Sequence, residues 1–178
     1  MSTLTSVGVA AACCLTLASA ARPAERQDGD AAVAAFLARL QGHWLGAGTI
    51  LGQPAEVEMR WAPVLDGAFA RLTWVSRIGP ASTARRFEGH AYYGLRSPGT
   101  GRAVWVDSSG LTRPIVATVA RTGDALVASW GTADTERGET TYHLESPDTV
   151  VVVDRVLRPD GTWREFGRTR LARAPAPR

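Results

Sequence analysis

The sequence contains no lysine, and its only two cysteines, Cys13 and Cys14, lie within the first twenty residues. The rest of the chain therefore has no thiol for a disulfide, a thiolate metal site or a cysteine nucleophile. All 20 basic side chains are arginines interspersed with acidic residues, and Arg85-Arg86 is the only tight basic pair before the tail. Nucleic-acid binding needs basic residues clustered on one face, so we expect no nucleic-acid partner.

Charged side chains are also missing from the N-terminal segment, where residues 7–18 are almost wholly apolar or small. This pattern is typical of a secretory leader, and Ala18-Ser19-Ala20 matches its small-residue cleavage site. We therefore predict a signal peptide over 1–20 and an exported mature protein, periplasmic or secreted, without a membrane span. A retained anchor is one alternative. Lipidation at Cys13 is another, although Ala10 stands where that signal has Leu, Ile or Val.

The remaining length suits one domain, which we place at 30–173. The polar residues 21–29 are predicted to form a flexible linker, and 174–178 a disordered tail. Asp30 is predicted to cap a short helix that ends at Leu40. Its apolar face, at helical spacing, consists of Val33, Phe36, Leu37 and Leu40.

After Gly42 the apolar pattern changes from a helical period to a period of two, and no second helical pattern follows. It predicts about ten strands separated by turn sequences such as Ser97-Pro98-Gly99. Short turns leave no room for crossover helices, so sequential strands must be antiparallel. A sheet this wide curls, and closure removes its edges. The predicted fold is all-β, a single antiparallel up-and-down β-barrel of about ten strands. A two-sheet sandwich is the alternative.

The run Gly42-His43-Trp44, after a short helix and at the start of the first strand, resembles the opening signature of the calycins. Calycins include lipocalins, fatty-acid-binding proteins and nitrobindins. The resemblance implies that Trp44 packs across the closed end of the barrel. It also implies that an arginine of the last strand, Arg168 or Arg170, lies over the indole in a cation–π contact.

A wider set of motifs, spread from Phe36 to Arg173, is similar to the DUF1579 group of bacterial proteins. These motifs are Gly42-His43-Trp44-Leu45-Gly46-Ala47-Gly48, Leu65-Asp66-Gly67-Ala68-Phe69, Trp105-Val106-Asp107-Ser108 and Arg158-Pro159-Asp160-Gly161-Thr162-Trp163. That group is lipocalin-like and has no settled activity. The resemblance therefore implies the barrel and export but transfers no catalytic residue.

Nitrobindins also open with this glycine-rich run and bind heme through a histidine near the end of the chain. Here the last histidine is His143, two predicted strands before the end. This departure argues against heme, which remains an alternative ligand, and we predict no cofactor. The three histidines show no paired metal-ligand spacing, so we predict no metal site.

Six tryptophans lie on predicted strands, where they either fill the core or line a cavity for a flat or apolar ligand. We assign Trp44 to the floor of the barrel. The predicted ligand-binding residues are Met59, Trp61, Trp74, Trp105 and Trp130 for the wall, with His90 and Asp107 for the polar end of the ligand. Asp154 and Arg155 are adjacent on one strand, so one of them must face inward, where Glu165 or Arg164 would pair with it.

The sequence lacks the elbow motif of a hydrolase and a phosphate-binding loop. Glu88 and His90 share a strand face, and with Asp107 on the next strand they would supply acid–base chemistry if the three converged. A small isomerase or cyclase is therefore one alternative, and an envelope protein that acts through its surface is another. Our first hypothesis is an exported, non-enzymatic barrel that binds a small apolar or aromatic molecule, in an oligomeric state that the sequence does not indicate.

Overall fold

The computed structural model describes residues 23–94, 101–110 and 114–175. Ten antiparallel strands form one closed barrel, in which each strand pairs with its neighbours in sequence and the first strand pairs with the last. The up-and-down barrel predicted from the period-two pattern and the short turns is confirmed, and the sandwich alternative is wrong. The predicted signal peptide, residues 1–20, lies outside the described residues.

The ten strands match the predicted number of about ten. The strands are β1 Gly42–Ile50, β2 Gln53–Val64, β3 Phe69–Ile78, β4 Arg85–Gly94, β5 Gly101–Asp107, β6 Ile115–Thr122, β7 Ala125–Trp130, β8 Gly138–Ser146, β9 Thr149–Leu157 and β10 Trp163–Arg173. Odd-numbered strands run away from the N-terminal helix and even-numbered strands run back toward it. The barrel thus has a helix end and an opposite end, which we call the open end.

The helix, α1, spans Pro23–Leu40 and begins earlier than expected. The predicted linker over 21–29 is therefore wrong from Pro23 onward. Proline is well tolerated in the first turn of a helix, where its missing N–H has no intrahelical partner. The predicted apolar face is buried against the barrel: Val33, Phe36, Leu37 and Leu40 are all at most 4% exposed. In the described part of the chain, no helix is long and apolar enough to span a membrane.

The seam between β1 and β10 closes the barrel tightly because glycines lie on its inner face. A Cβ atom added to Gly46 would lie 2.6 Å from the Cα of Leu171, and one added to Gly48 would lie 2.7 Å from the Cα of Thr169. Both distances are too short for a side chain. The glycine-rich run after Trp44 is therefore needed for the close approach of two backbones.

Trp44 lies at the helix end with none of its surface exposed, as the calycin resemblance implies. Its indole Nε1 donates a 2.7 Å hydrogen bond to the carbonyl oxygen of Leu40, the last residue of α1. The guanidinium of Arg173 lies 4.1 Å from the indole centroid. The same guanidinium donates to the carbonyl oxygens of Gln41 and Arg39 at 2.6 and 3.0 Å. Arg173 thus covers the indole and satisfies free carbonyls at the helix C-terminus.

The assignment of this role to Arg168 is wrong. Trp44 pairs with Arg173 across the seam, whereas Arg168 pairs with Thr49, near the open end. Alternation along β10 also directs Arg168 outward, where it forms an ion pair with Glu165 at 2.6 Å. Arg170 likewise points outward and pairs with Glu145.

Candidate functional site

A cavity of about 320 Å³ occupies the open half of the barrel. Its size is at the lower end of the range for small-molecule sites. The wall is predominantly apolar and includes seven aromatic side chains: Trp74, Phe87, Tyr93, Trp105, Trp130, Tyr142 and Phe166. The cavity therefore combines an apolar wall, an aromatic surface and an opening at the end that α1 does not cover.

Small inward-facing residues create the space. The four consecutive strands β4 to β7 each contribute one alanine to the cavity wall: Ala91, Ala103, Ala117 and Ala128. Protein interiors are normally packed with few voids larger than a water molecule, and larger side chains at these positions would fill the volume. The tryptophan pattern alone does not distinguish a filled core from a cavity. Alanines at inward positions of four consecutive strands are the feature of the sequence that indicates a cavity.

Two glycines determine how the tryptophan rings lie. Gly89 on β4 faces the ring of Trp105, and Gly138 on β8 faces the ring of Trp130. At either glycine an added Cβ would overlap the indole. Each indole thus lies flat against the backbone of a neighbouring strand, and the centre of the barrel stays open. Phe87 stacks on Trp105 with ring centroids 6.4 Å apart, and this extends the aromatic surface.

Three of the tryptophans predicted for the wall, Trp74, Trp105 and Trp130, line the cavity, and Met59 and Trp61 do not. Met59 pairs with Trp44 across β1 and β2, so it lies at the level of the floor. Trp61 lies lower still, 2% exposed. Its ring contacts those of Tyr93 and Tyr142 at centroid distances of 4.9 and 5.5 Å. Both predicted wall residues instead form the floor, because β2 enters the helix end at these positions.

Asp107 lines the cavity near its mouth, as predicted for a residue at the polar end of a ligand. Its Oδ2 accepts a 2.7 Å hydrogen bond from the indole Nε1 of Trp105. Its Oδ1 accepts from the backbone N–H and the hydroxyl of Ser109, at 2.8 and 2.5 Å. Three donors therefore hold this carboxylate in place and fix the indole beside it.

Glu88 and His90 do not join Asp107. Gly89 is the residue opposite Asp107 across β4 and β5, so the two neighbours of Gly89 point to the other side of the sheet. On the outer surface, His90 Nε2 lies 3.1 Å from Glu88 Oε1, and Arg86 forms an ion pair with the same carboxylate. The hydrogen bond from Arg86 lowers the pKa of Glu88. The prediction that His90 binds the ligand is therefore wrong. Glu88, His90 and Asp107 do not converge, so they cannot act together as an acid–base site.

Asp154, on β9, is the inward member of the Asp154-Arg155 pair and lines the cavity. Its Oδ1 accepts a 2.7 Å hydrogen bond from the hydroxyl of Thr140. Burial raises its pKa from 3.8 to about 6, and the charge of Glu165 contributes in the same direction. No ion pair of Asp154 is found among the described residues: Arg155 binds Glu139 on the outer face, Glu165 binds Arg168, and Arg164 is exposed.

Three hydroxyls complete the polar groups around the cavity. Ser76 is 1% exposed, lines the cavity, and has no hydrogen-bond partner for its Oγ within the described residues. The hydroxyls of Tyr93 and Tyr142 lie 3.3 Å apart. Burial raises the pKa of Tyr93 to about 12 and that of Tyr142 well above its usual value, so both phenols are neutral at physiological pH.

None of the three histidines lines the cavity, because His43, His90 and His143 all lie at outward positions of their strands. Across the described ranges, no three histidine or acidic side chains are grouped so that they could hold a metal ion. Heme ligation by histidine inside the barrel therefore has no ligand among these residues.

Comparison with known proteins supports the architecture. No family model matches the chain, and no curated protein matches it. Among solved structures, it is similar to Rv2717c from M. tuberculosis, with a TM-score of 0.54 and 20% sequence identity, over 78% of this chain and 95% of that one. At this identity the likeness shows the fold alone. The resemblance to the DUF1579 group stays a prediction.

Proposed function

We propose that this protein is an exported barrel that binds a small, largely apolar molecule in its aromatic-lined cavity. The observation that carries the proposal is the 320 Å³ space bounded by aromatic rings at the open end of the barrel. An unfilled apolar cavity forfeits dispersion contacts and lowers stability, so a space of this size is expected where a ligand replaces those contacts.

The shape of the wall favours a flat ligand. The indoles of Trp105 and Trp130 lie against neighbouring strands, over Gly89 and Gly138, and so present extended aromatic surface. An aromatic or alicyclic molecule would contact several rings at once in offset-stacked or edge-to-face arrangements. The closed floor of Trp44 and Trp61 limits how deep such a molecule can enter.

A fluorescence titration tests the binding function. The neutral dye N-phenyl-1-naphthylamine brightens in apolar surroundings, and we expect saturable binding with one dye per chain. The substitution Ala128→Leu fills part of the cavity and should lower the affinity for the dye by at least about tenfold. The matched control, Ala120→Leu, alters an exposed position of the adjacent strand β6 and should bind like the wild type. No saturable binding, or equal loss in both variants, would contradict the proposal.

Export is the second part of the proposal, and the leader pattern over 1–20 supports it. Expression of the full chain in a bacterial host, followed by fractionation and N-terminal sequencing, tests it. We expect soluble protein outside the cytoplasm that begins at Ala21. Protein that stays in the cytoplasm with an intact leader would refute export. Membrane-bound protein would support the anchor or the lipoprotein alternative instead.

A further inference from the structure

Apart from the indole N–H groups of the tryptophans, the polar side-chain groups that line the cavity are carboxylates and hydroxyls. Two carboxylates, Asp107 and Asp154, and the hydroxyls of Ser76 and Thr140 line it, while none of the described residues in its lining is an arginine or a histidine. In the part of the chain that the structure describes, the arginines that form ion pairs with acids do so outside the cavity, as Arg155 does with Glu139. A ligand complementary to this interior supplies donors and positive charge.

We propose that the ligand of this cavity carries a protonated amine on its apolar skeleton, and that Asp154 binds the amine. This inference rests on the binding function proposed above and names the chemical class of the ligand. The carboxylate of Asp154 keeps acceptor positions free after its one hydrogen bond from Thr140. A carboxylate that faces an apolar cavity without a cation is unfavourable, and an ammonium group would provide both the charge and the donors that it lacks.

Ser76 is an independent observation that points to a polar group in the ligand. Its hydroxyl lies within the cavity wall, buried and without a hydrogen-bond partner among the described residues, across the barrel from β9. Buried hydroxyls are nearly always hydrogen-bonded, so an unpartnered one facing a cavity indicates a contact that the ligand completes. The ligand therefore carries a second polar atom, away from its amine.

The same inventory disfavours anionic ligands. A carboxylate inside the cavity would face Asp107 and Asp154 with no cation among the described lining residues, and like charges in a desolvated site repel strongly. Asp107 is held by three donors and so adds fixed negative charge near the mouth. Fatty acids and other acidic amphiphiles should therefore bind worse than neutral analogues of the same shape.

Displacement of bound N-phenyl-1-naphthylamine at pH 7.5 tests the inference with three probes that share one ring system. These are 2-naphthylmethylamine, 2-naphthylmethanol and 2-naphthoate. We expect the amine to displace the dye at a concentration at least about tenfold lower than the alcohol, because a hydrogen bond between charged groups is the stronger kind. The carboxylate should be the weakest of the three.

Substitution of the acid identifies the group responsible. Asp154→Asn should remove the preference for the amine over the alcohol, measured as the ratio of the two displacing concentrations in the same variant. Asp124→Asn removes one negative charge at an exposed turn at the helix end and should keep that preference. Ser76→Ala should leave the preference for the amine intact.

The outcomes separate the two proposals. If the dye does not bind at all, the binding function itself fails. If the dye binds but the amine and the alcohol compete equally, or if Asp154→Asn retains the preference, only the inference about the amine is overturned.

Discussion

Replacing Asp154 with asparagine should stabilise the protein at neutral pH. Burial raises the pKa of this carboxyl from 3.8 to about 6, so the folded state holds its proton more tightly than the unfolded chain does. Stability from this group is therefore full below about pH 4 and is lost as the pH rises through 6. Since each unit of pKa difference corresponds to about 1.4 kcal/mol, the ionised side chain costs about 3 kcal/mol at pH 7.5. At pH 4.0 the same linkage leaves a cost of about 0.5 kcal/mol.

Urea unfolding of the wild type and Asp154→Asn at the two pH values measures this difference. The hydroxyl of Thr140 can still donate to the asparagine oxygen, so the variant keeps the hydrogen bond and loses the charge. We expect it to be more stable by about 2 to 3 kcal/mol at pH 7.5 and nearly equal in stability at pH 4.0. The control Asp124→Asn should differ from wild type by less than about 0.5 kcal/mol at both pH values. A variant that is no more stable at pH 7.5, or equally stabilised at both, would refute the reasoning.

Three further outcomes follow from the same geometry. Arg173→Ala should lower the free energy of unfolding by about 2 kcal/mol in urea titrations, because it uncovers the indole of Trp44 and leaves helix carbonyls without a donor. The control Arg168→Ala breaks an exposed ion pair and should lower it by less than about 1 kcal/mol. Equal losses of stability in the two variants would contradict the role given to Arg173. Gly89→Ala should push the indole of Trp105 into the cavity and lower the affinity for the dye in fluorescence titrations. The control Gly94→Ala lies on the same strand, where the nearest atom to an added Cβ is 3.8 Å away, and it should keep the wild-type affinity. Equal affinities of the two variants would contradict the placement of the Trp105 ring. The affinity of the wild type for 2-naphthylmethylamine should fall about tenfold from pH 7.5 to pH 5.0, because Asp154 becomes protonated near pH 6. An affinity that does not change with pH would show that this carboxylate does not bind the amine.

The stabilising effect expected of Asp154→Asn matters for function. Charges that lower the stability of the folded state are concentrated at binding and catalytic sites, where function needs them. Asp154 meets this description because it points inward, borders the cavity and has no cationic partner among the described residues. Gain of stability together with loss of amine preference in one variant would link the two properties at a single residue.

The fold was predictable because its determinants are local. Period-two alternation predicts each strand, and turns such as Arg158-Pro159-Asp160-Gly161 bound them. Short connections then force the antiparallel order, and the closed barrel follows. The start of α1 at Pro23 was not predictable in the same way. The polar residues before Asp30 have no apolar periodicity, so their sequence does not distinguish a flexible linker from the first turns of a helix.

The site was predictable only in part, because it depends on where each inward residue lies along the barrel axis. Alternation places Trp61 and Trp105 equally well on an inner face, but only the pairing register places the first at the floor and the second at the mouth. The same register selects Arg173 over Arg168 as the partner of Trp44. The inward orientation of Asp154 or its neighbour followed from the sequence, whereas the lack of an ionic partner depends on contacts between strands.

The central claim is that a ligand occupies the space between the tryptophans of the open end. Two-dimensional NMR of the indole N–H groups, recorded while N-phenyl-1-naphthylamine is added, tests it residue by residue. We expect the resonances of Trp74, Trp105 and Trp130 to shift with saturation at one dye per chain. Those of Trp44, in the floor, and Trp163, on the outer face, should stay in place. A shift confined to Trp163, or no shift in the three cavity tryptophans at saturation, would contradict the account.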